Sequence, residues 1–175
     1  LYAARYPLSE THYSGVFRAE VSCQAFSPIL PGDYSRTSYP VAVFAWSLRN
    51  PTDQPLTVSL LLSWRNTVGR HDAPGMAAVL QEGVRSEPIA EGQGQWCLAL
   101  PDVASLQAAR GDGTGPLEIF RCSRWNPATG GGELWSPFAA DGSIPESDND
   151  RSSGDHDPSS SAIAVRLTLA PGESL

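Results

Sequence analysis

Residues 41–49 and 56–65 each carry large apolar side chains at every second position, such as Phe44, Trp46 and Leu48, and a proline-containing segment separates the two stretches. An apolar residue at every second position is typical of a β-strand with one buried face. Because Asn50-Pro51 and Gln54-Pro55 interrupt helix and remove backbone donors, the connection is predicted to reverse the chain. The second strand is predicted to bury one face and to expose the other. The buried face carries Leu56, Val58, Leu60, Leu62 and Trp64, and the exposed face carries Thr57, Ser59, Ser63 and Arg65.

Other alternating segments occur along the chain, separated by stretches rich in glycine and proline. Strands are predicted over 16–26, 41–49, 56–65, 95–100, 117–125 and 162–169, with a weaker one near 77–82. Only residues 103–110 favour a helix, and a segment this short does not form a helix unaided. Many short alternating strands joined by turns predict an all-β, mostly antiparallel β-sandwich with long loops.

Length and charge limit the classes of protein that this chain can represent. Its 175 residues suffice for a single domain with a substantial core. The formal charge of -7 argues against nucleic-acid binding, which depends on basic surfaces. No apolar run is long enough to cross a membrane as a helix. Cys23, Cys97 and Cys122 follow no metal-binding spacing, so we expect reduced thiols in a cytoplasmic protein, with a disulfide as the alternative.

Residues 141–161 contain many acidic residues and serines but few large apolar groups. Such a segment cannot bury enough surface to offset its backbone entropy, so a mobile loop is predicted. Asp148-Asn149-Asp150 begins like a calcium loop, but Ser153 stands where the sharp turn needs glycine and Ser159 where a bidentate glutamate belongs. No metal and no cofactor are therefore predicted.

The two ends of the sequence suggest an excerpt of a longer protein. Leu1 is not a methionine, and the sole methionine is Met76. After the predicted strand at 162–169, Ala170-Pro-Gly-Glu173 is typical of a turn, and Ser174 and Leu175 would begin a returning strand. We therefore expect a single domain over residues 1–175 that is truncated at both ends.

An ordered set of short motifs resembles the N-terminal β-sandwich domain of glycoside hydrolase family 116. This family includes the bile acid β-glucosidase, or non-lysosomal glucosylceramidase, and bacterial relatives. Trp135-Ser-Pro-Phe138 and Asp141-Gly-Ser-Ile144 are two of these motifs. The full set lies, in order, at residues 5–13, 15–23, 26–31, 37–44, 64–69, 94–96, 123–127, 135–138, 141–144 and 162–173.

The resemblance implies a function for the parent protein rather than for this chain alone. Enzymes of the family are retaining β-glycosidases, whose two catalytic carboxyl groups lie about 5 to 5.5 Å apart. Both groups belong to a C-terminal (α/α)6 barrel beyond Leu175, so no catalytic residue is expected here. The resemblance thus implies a noncatalytic domain that packs against and supports that catalytic domain, its partner, which acts on β-glucosides or glucosylceramide-like lipids. A free-standing carbohydrate-binding or adhesion module is the alternative.

Aromatic residues provide the candidate functional positions. Trp46 and Trp64 lie on predicted apolar strand faces and are expected in the core. A second set of aromatic residues instead lies at or beside glycine- and proline-rich segments, and it consists of Trp125, Trp135 and Phe138. These residues could dock onto the catalytic domain, stack on a sugar ring, or close the end of the sandwich. The candidate substrate or domain-interface residues are Trp125, Asn126, Trp135, Phe138 and Asp141.

Strand carboxylates are a separate question, because a glycosidase needs carboxyl groups. Glu20 and Glu118 lie within predicted strands. We expect each to face solvent or to pair with an arginine on a neighbouring strand.

Overall fold

A computed structural model describes residues 1–65, 69–70, 73–74, 76–79, 83–87, 96–110, 115–146 and 160–175. The strands are β1 (Tyr2–Arg5), β2 (Leu8–Tyr13), β3 (Glu20–Phe26), β4 (Val43–Arg49), β5 (Leu56–Arg65), β6 (Gly69–Arg70), β7 (Ala73–Pro74), β8 (Met76–Val79), β9 (Gly83–Glu87), β10 (Trp96–Ala99), β11 (Leu117–Trp125) and β12 (Ser160–Leu169). The helices are α1 (Tyr34–Thr37), α2 (Val103–Ala109) and α3 (Gly132–Asp141), and a 3-10 turn spans Pro127–Thr129. The predicted all-β, sandwich-like fold class is confirmed.

The described strands form four sheets, with strand orders β1-β2-β3-β4, β10-β9-β8, β11-β12-β5 and β6-β7. Neighbours β1–β2, β2–β3, β3–β4, β8–β9, β9–β10 and β11–β12 are antiparallel. Contacts divide the chain into two compact units. The first comprises Leu1–Leu56, Ala109–Gly115 and Leu169–Leu175, and the second comprises Thr57–Ala108 and Pro116–Thr168.

The four-stranded sheet belongs to the first unit. Strand β3 alternates as predicted, with Val21 and Cys23 buried and Glu20 and Gln24 exposed. The hairpin of β1 and β2 was not predicted, because its short strands carry few of the β-branched residues that mark a strand in sequence. It pairs with β3 through β2, in the register that places Thr11 opposite Cys23.

Strand β4 corrects the prediction that Trp46 belongs to the core. Leu48 is buried, but Trp46 remains 37% exposed and Phe44 42% exposed. Both lie on the same face as Leu48, opposite Cys23 and Ala25 of β3. The alternation therefore located the apolar face correctly, but nothing in the described part of the chain covers all of it.

A buried asparagine organises the predicted turn after β4. The Asn50 side-chain amide donates hydrogen bonds to the carbonyls of Gln54, Leu169 and Ala170 at 2.8, 3.1 and 3.1 Å. Its side-chain oxygen accepts from the backbone N–H and hydroxyl of Thr52. These bonds satisfy a fully buried amide, which would otherwise be costly to desolvate, and they join the turn to the last residues of the chain.

A buried ion pair also holds the last residues of the chain in place. The Arg110 guanidinium donates to the Glu173 carboxylate at 3.1 Å and to the carbonyl of Gly115 at 2.7 Å. The other Glu173 oxygen accepts from the backbone N–H of Ala170 at 2.6 Å. The turn predicted at residues 170–173 is therefore held by charged side chains. Ser174 then pairs with Arg49 of β4, so the returning segment joins β4.

In the second unit, β12 lies between β11 and β5. Its alternating sequence is typical of a half-buried strand, yet both faces are largely buried. Ala162 and Ala164 are buried on one face, and Ile163, Val165 and Leu167 on the other. Strand β11 also contacts β8 and β9. A central strand with small residues on one face leaves room for another layer, and α3 supplies it.

Helix α3 replaces what was expected to be a loop. Gly131 and Gly142 flank it with φ angles of 73° and 81°, in the left-handed region that favours glycine. Pro137 lies inside the helix. Because proline and the neighbouring glycines are typical of loops, the sequence does not predict a helix here.

The predicted mobile loop at 141–161 falls mostly outside the described residues. Its two ends are structured: Gly142 and Ile144 are buried, and Ser160 and Ser161 are buried at the start of β12. The sequence at 148–159, which was compared with a calcium loop and did not fit one, also lies outside the described residues. Among the described residues, no cluster of histidine, cysteine or acidic side chains could hold a metal ion.

Candidate site around helix α3

Helix α3 packs on one face of the three-stranded sheet. Leu134 is fully buried at the centre of this contact. The buried cluster consists of Cys122, Leu134, Ile144, Ala162 and Ala164, with Leu61, Phe120, Trp125 and Phe138 packed against it. Small alanines in β12 let the helix approach closely, so the helix is fixed by core packing rather than by its own propensity.

The helix lies against the face of β5 that was predicted to be exposed. Leu61 joins the buried cluster, and Ser63 Oγ accepts a hydrogen bond from the Trp125 indole N–H at 3.2 Å. A Cβ atom on Gly142 would lie 2.7 Å from the Ser59 Cβ. On the opposite face Trp64 is 45% exposed. Leu56, Val58, Leu60 and Leu62 on that face are half-buried, as are Ser59 and Ser63 on the helix side. The prediction that Ser59 and Ser63 face solvent is therefore wrong, because α3 was not foreseen.

Trp125 and Trp135 flank the start of the helix. Trp125 ends β11 just after an irregularity in its pairing with β12, and its ring is partly buried. A Cβ atom on Gly131 would lie 3.0 Å from Trp125 Cζ3 and 3.0 Å from Trp135 Cδ1. Glycine at position 131 thus permits the positive φ angle and also leaves room for the two indoles.

Asn126 contributes through its backbone to the connection before the helix. Its N–H donates to the Glu133 carboxylate at 2.7 Å, and its carbonyl accepts from the Thr129 hydroxyl at 2.8 Å. Glu133 lies in the first turn of α3, where a negative charge interacts favourably with the helix dipole. The connection and the helix are therefore tied together by a local polar network.

Trp135 and Phe138 lie on α3 and not in loops. Their rings meet edge to face, with centroids 6.0 Å apart. Phe138 packs against the buried cluster, whereas Trp135 remains 49% exposed. The helix therefore presents one large indole at the surface on a rigid support.

Asp141 ends the helix within a charged cluster that includes Arg166 of β12. The Arg166 guanidinium donates to Glu118 at 2.8 Å and to the Asp141 carbonyl at 2.9 Å, and it lies 3.5 Å from the Asp141 carboxylate. The guanidinium also lies 5.0 Å from the centre of the Phe120 ring. Arg166 was not predicted as a site residue, although it is the one charged residue of β12, and a charged residue in a largely buried strand usually has a partner.

The electrostatics of this cluster oppose acid catalysis. Hydrogen bonds from the Ser143 side chain and backbone N–H lower the pKa of Asp141. The hydrogen bond from Arg166 lowers the pKa of Glu118. A general acid that works near neutral pH needs a raised carboxyl pKa, so these two groups are suited to structural pairing.

The other singled-out residues are distributed elsewhere. Glu20 pairs with Arg49 at 2.9 Å and Glu118 with Arg166, which confirms the predicted cross-strand pairing. Cys23 and Cys122 are buried thiols, Cys97 is an exposed one, and burial raises the pKa of the Cys23 thiol. No helix in the described ranges is long and apolar enough to cross a membrane.

The five candidate residues thus lie at the end of β11, on the connection after it or on α3, while their functional roles stay predictions. The chain matches the family model described as beta-glucosidase 2, glycosyl-hydrolase family 116 N-term, over residues 1–175. The match covers the whole sequence, and it confirms the resemblance inferred from the ordered motifs. The chain therefore belongs to the N-terminal domain family of glycosyl hydrolase family 116.

Proposed function

We propose that this domain is noncatalytic and that it packs against and supports a C-terminal catalytic domain of the same polypeptide. Family membership implies a glycosidase as the parent protein. We further propose a retaining β-glucosidase that acts on β-glucosides or glucosylceramide-like lipids through that catalytic domain. The description of the matching family, which names a beta-glucosidase and an N-terminal part, supports this assignment.

The observation that carries the proposal is the half-exposed indole of Trp135. Leu134, its neighbour in the helix, is fully buried, so the position of the indole is set by the core. Large aromatic side chains presented on a rigid support are enriched at protein interfaces, because they bury much apolar area at a small entropic cost. The catalytic domain is the occupant that the family description suggests.

The state of the described strand carboxylates supports a noncatalytic role. Glu20 and Glu118 each pair with an arginine on a neighbouring strand. A retaining glycosidase instead needs two carboxyl groups facing each other across a substrate. We therefore expect the isolated domain to hydrolyse no aryl β-glucoside. Turnover by the purified domain that is lost on Glu118→Gln would contradict this expectation.

The docking role is tested by Trp135→Ala in the full-length enzyme. Loss of a docked indole should lower the melting temperature of the whole enzyme and its kcat/KM, and should leave the isolated domain almost as stable as before. Tyr34→Ala is the matched control, since Tyr34 is an exposed aromatic residue on another helix. Unchanged melting and turnover of the Trp135→Ala enzyme would refute the proposed interface.

An exposed tryptophan beside a second indole also suits stacking on a sugar ring, which keeps a free-standing carbohydrate-binding module as the alternative. Titration of the isolated domain with soluble glucans and glucosides, followed by calorimetry, separates the two functions. Binding that is abolished by Trp135→Ala, with unaltered stability of the full-length enzyme, would favour the sugar-binding module. Absence of binding, together with a destabilised full-length variant, would favour docking.

We propose the cytoplasm as the location of the parent enzyme, with peripheral association with a membrane as the alternative. Buried thiols at Cys23 and Cys122 suit a reducing compartment. Fractionation of cells that express the tagged full-length protein, with markers for each compartment, tests this placement. Recovery in a secreted fraction would contradict it.

A further inference from the structure

Strand β4 is the last strand of its sheet within the described ranges, and its outer edge is paired at one end only. Leu48 and Leu175 exchange two backbone hydrogen bonds of 2.8 Å each. Arg49 and Ser174 form an antiparallel bridge. The last residues of the chain therefore lie along β4 in a defined antiparallel register.

Exposure along β4 changes where this pairing stops. Leu48, which lies opposite Leu175, is 2% exposed, whereas Trp46 and Phe44 further along the strand are 37% and 42% exposed. In an antiparallel sheet the N–H and C=O groups of every second residue point to the same edge. Because those of Leu48 point to Leu175, those of Trp46 and Phe44 also point outwards. An open edge of this kind is a template for another strand.

We propose that the polypeptide following Leu175 continues along β4 as a fifth, antiparallel strand of this sheet. The proposal rests on the proposed function, because it requires the chain to continue towards a catalytic domain. The register follows from the Leu48–Leu175 pair. The second residue after Leu175 lies opposite Trp46, and the fourth lies opposite Phe44.

The register also determines the kind of side chain that fits. Residues opposite each other in an antiparallel pair place their side chains on the same face. On this face Val21 and Cys23 are buried, and Tyr13 stacks on Trp46 with ring centroids 6.1 Å apart. The second and fourth residues after Leu175 are therefore apolar and cover Trp46 and Phe44, while the first and third are polar.

Disulfide trapping in the full-length protein tests this register. The first residue after Leu175 lies opposite Ser47 in a non-hydrogen-bonded pair, where Cα atoms are about 4.5 Å apart and within disulfide range. We would place cysteines at these two positions in a Cys97→Ser background, which removes an exposed thiol. In the control, Ala45→Cys replaces Ser47→Cys. Ala45 lies on the same face of β4 as Ser47, but about 7 to 8 Å along the diagonal from the first residue after Leu175.

The expected result is a crosslinked fraction at least several times larger for the Ser47→Cys pair than for the Ala45→Cys pair. Equal fractions, or none in either pair, would overturn the proposal. Hydrogen exchange on the unmodified full-length protein is the second measurement. Amides of Phe44 and Trp46 should exchange as slowly as that of Leu48, and rapid exchange would overturn the proposal even if a variant failed to fold.

The outcomes for the strand and for the domain interface are separable. A full-length enzyme that is sensitive to Trp135→Ala but lacks the register-specific crosslink would overturn the fifth strand and leave the proposed function standing. A register-specific crosslink without sensitivity to Trp135→Ala would support the strand and refute the interface.

Discussion

The two units achieve local order by different means. In the second unit, α3 covers the three-stranded sheet and buries an apolar cluster around Leu134. In the first unit, the far end of the four-stranded sheet is fixed by buried polar groups, with Asn50 hydrogen-bonded to main-chain carbonyls and Arg110 paired with Glu173. Apolar packing tolerates small shifts, but buried polar groups require every partner to be present. The apolar packing in the second unit should therefore lose stability gradually on mutation. The buried polar groups in the first unit should lose it abruptly.

The largest expected effect is that of Arg110→Ala. Removing the guanidinium leaves the Glu173 carboxylate buried without this charged partner, which typically costs about 3 to 5 kcal/mol. Arg49→Ala is the matched control, because the Arg49–Glu20 pair has a similar 2.9 Å distance but both side chains are exposed. We expect the control to cost less than about 1 kcal/mol. Similar midpoints of the two variants in chemical denaturation would show that the Arg110–Glu173 pair does not stabilise the fold as described.

The apolar side of the comparison is tested by Leu134→Ala. Truncating a fully buried leucine removes transfer free energy and leaves a cavity, so we expect a loss of about 2 to 5 kcal/mol. Leu30→Ala makes the same chemical change at an exposed position and should be almost silent. If urea denaturation gave equal losses for both, α3 would not be packed as described.

A smaller effect is expected from Gly142→Ala. Alanine at a φ of 81° is strained, and its Cβ would also overlap Ser59 of β5, so we expect a loss of about 2 to 3 kcal/mol. Gly32→Ala provides a control with the same φ of 81° and no atom within 4 Å, which isolates the backbone strain of about 1 to 2 kcal/mol. Equal losses in thermal denaturation would show that α3 does not approach β5 closely.

The smallest expected effect concerns pH. The pKa values of Glu118 and Asp141 are lowered in the folded domain, so the unfolded chain binds protons more readily. Their stabilising contribution is therefore present above the ordinary carboxyl pKa and is lost as pH falls from about 5 to 3.

The double variant Glu118→Gln/Asp141→Asn tests this pH dependence by calorimetry. Its melting temperature should decline less steeply with acidification than that of the unmodified domain. Glu146→Gln changes an exposed carboxylate outside the Arg166 cluster and serves as the control. Parallel acid profiles of all three proteins would rule out the role assigned to this cluster.

The sequence predicted the individual strands better than it predicted which of their faces other elements cover. Alternation located β3, β4, β5, β11 and β12, because the side chains of a strand reverse direction at every residue. It failed for α3, where Pro137 and the flanking glycines suggest a loop. The helix exists because Leu134 and Phe138 find an apolar surface on distant strands, and this interaction has no local signature in the sequence.

The candidate residues show the same division. Aromatic composition identified Trp125, Trp135 and Phe138, but it could not tell that Phe138 packs inward while Trp135 remains half exposed. The expected burial of Trp46 and Trp64 was wrong for a related reason. Alternation tells which side chains share a face, whereas burial depends on whether another element lies on that face.

Sequence alone determined the all-β class, the turn at residues 50–55 and the family, because each depends on local pattern or on an ordered set of motifs. Tertiary structure decided which face of β5 is covered, which arginine holds Asp141, and where Ser174 and Leu175 pair. These features join residues far apart in the chain. Their free energy appears only when the segments meet, so no local window of sequence contains it.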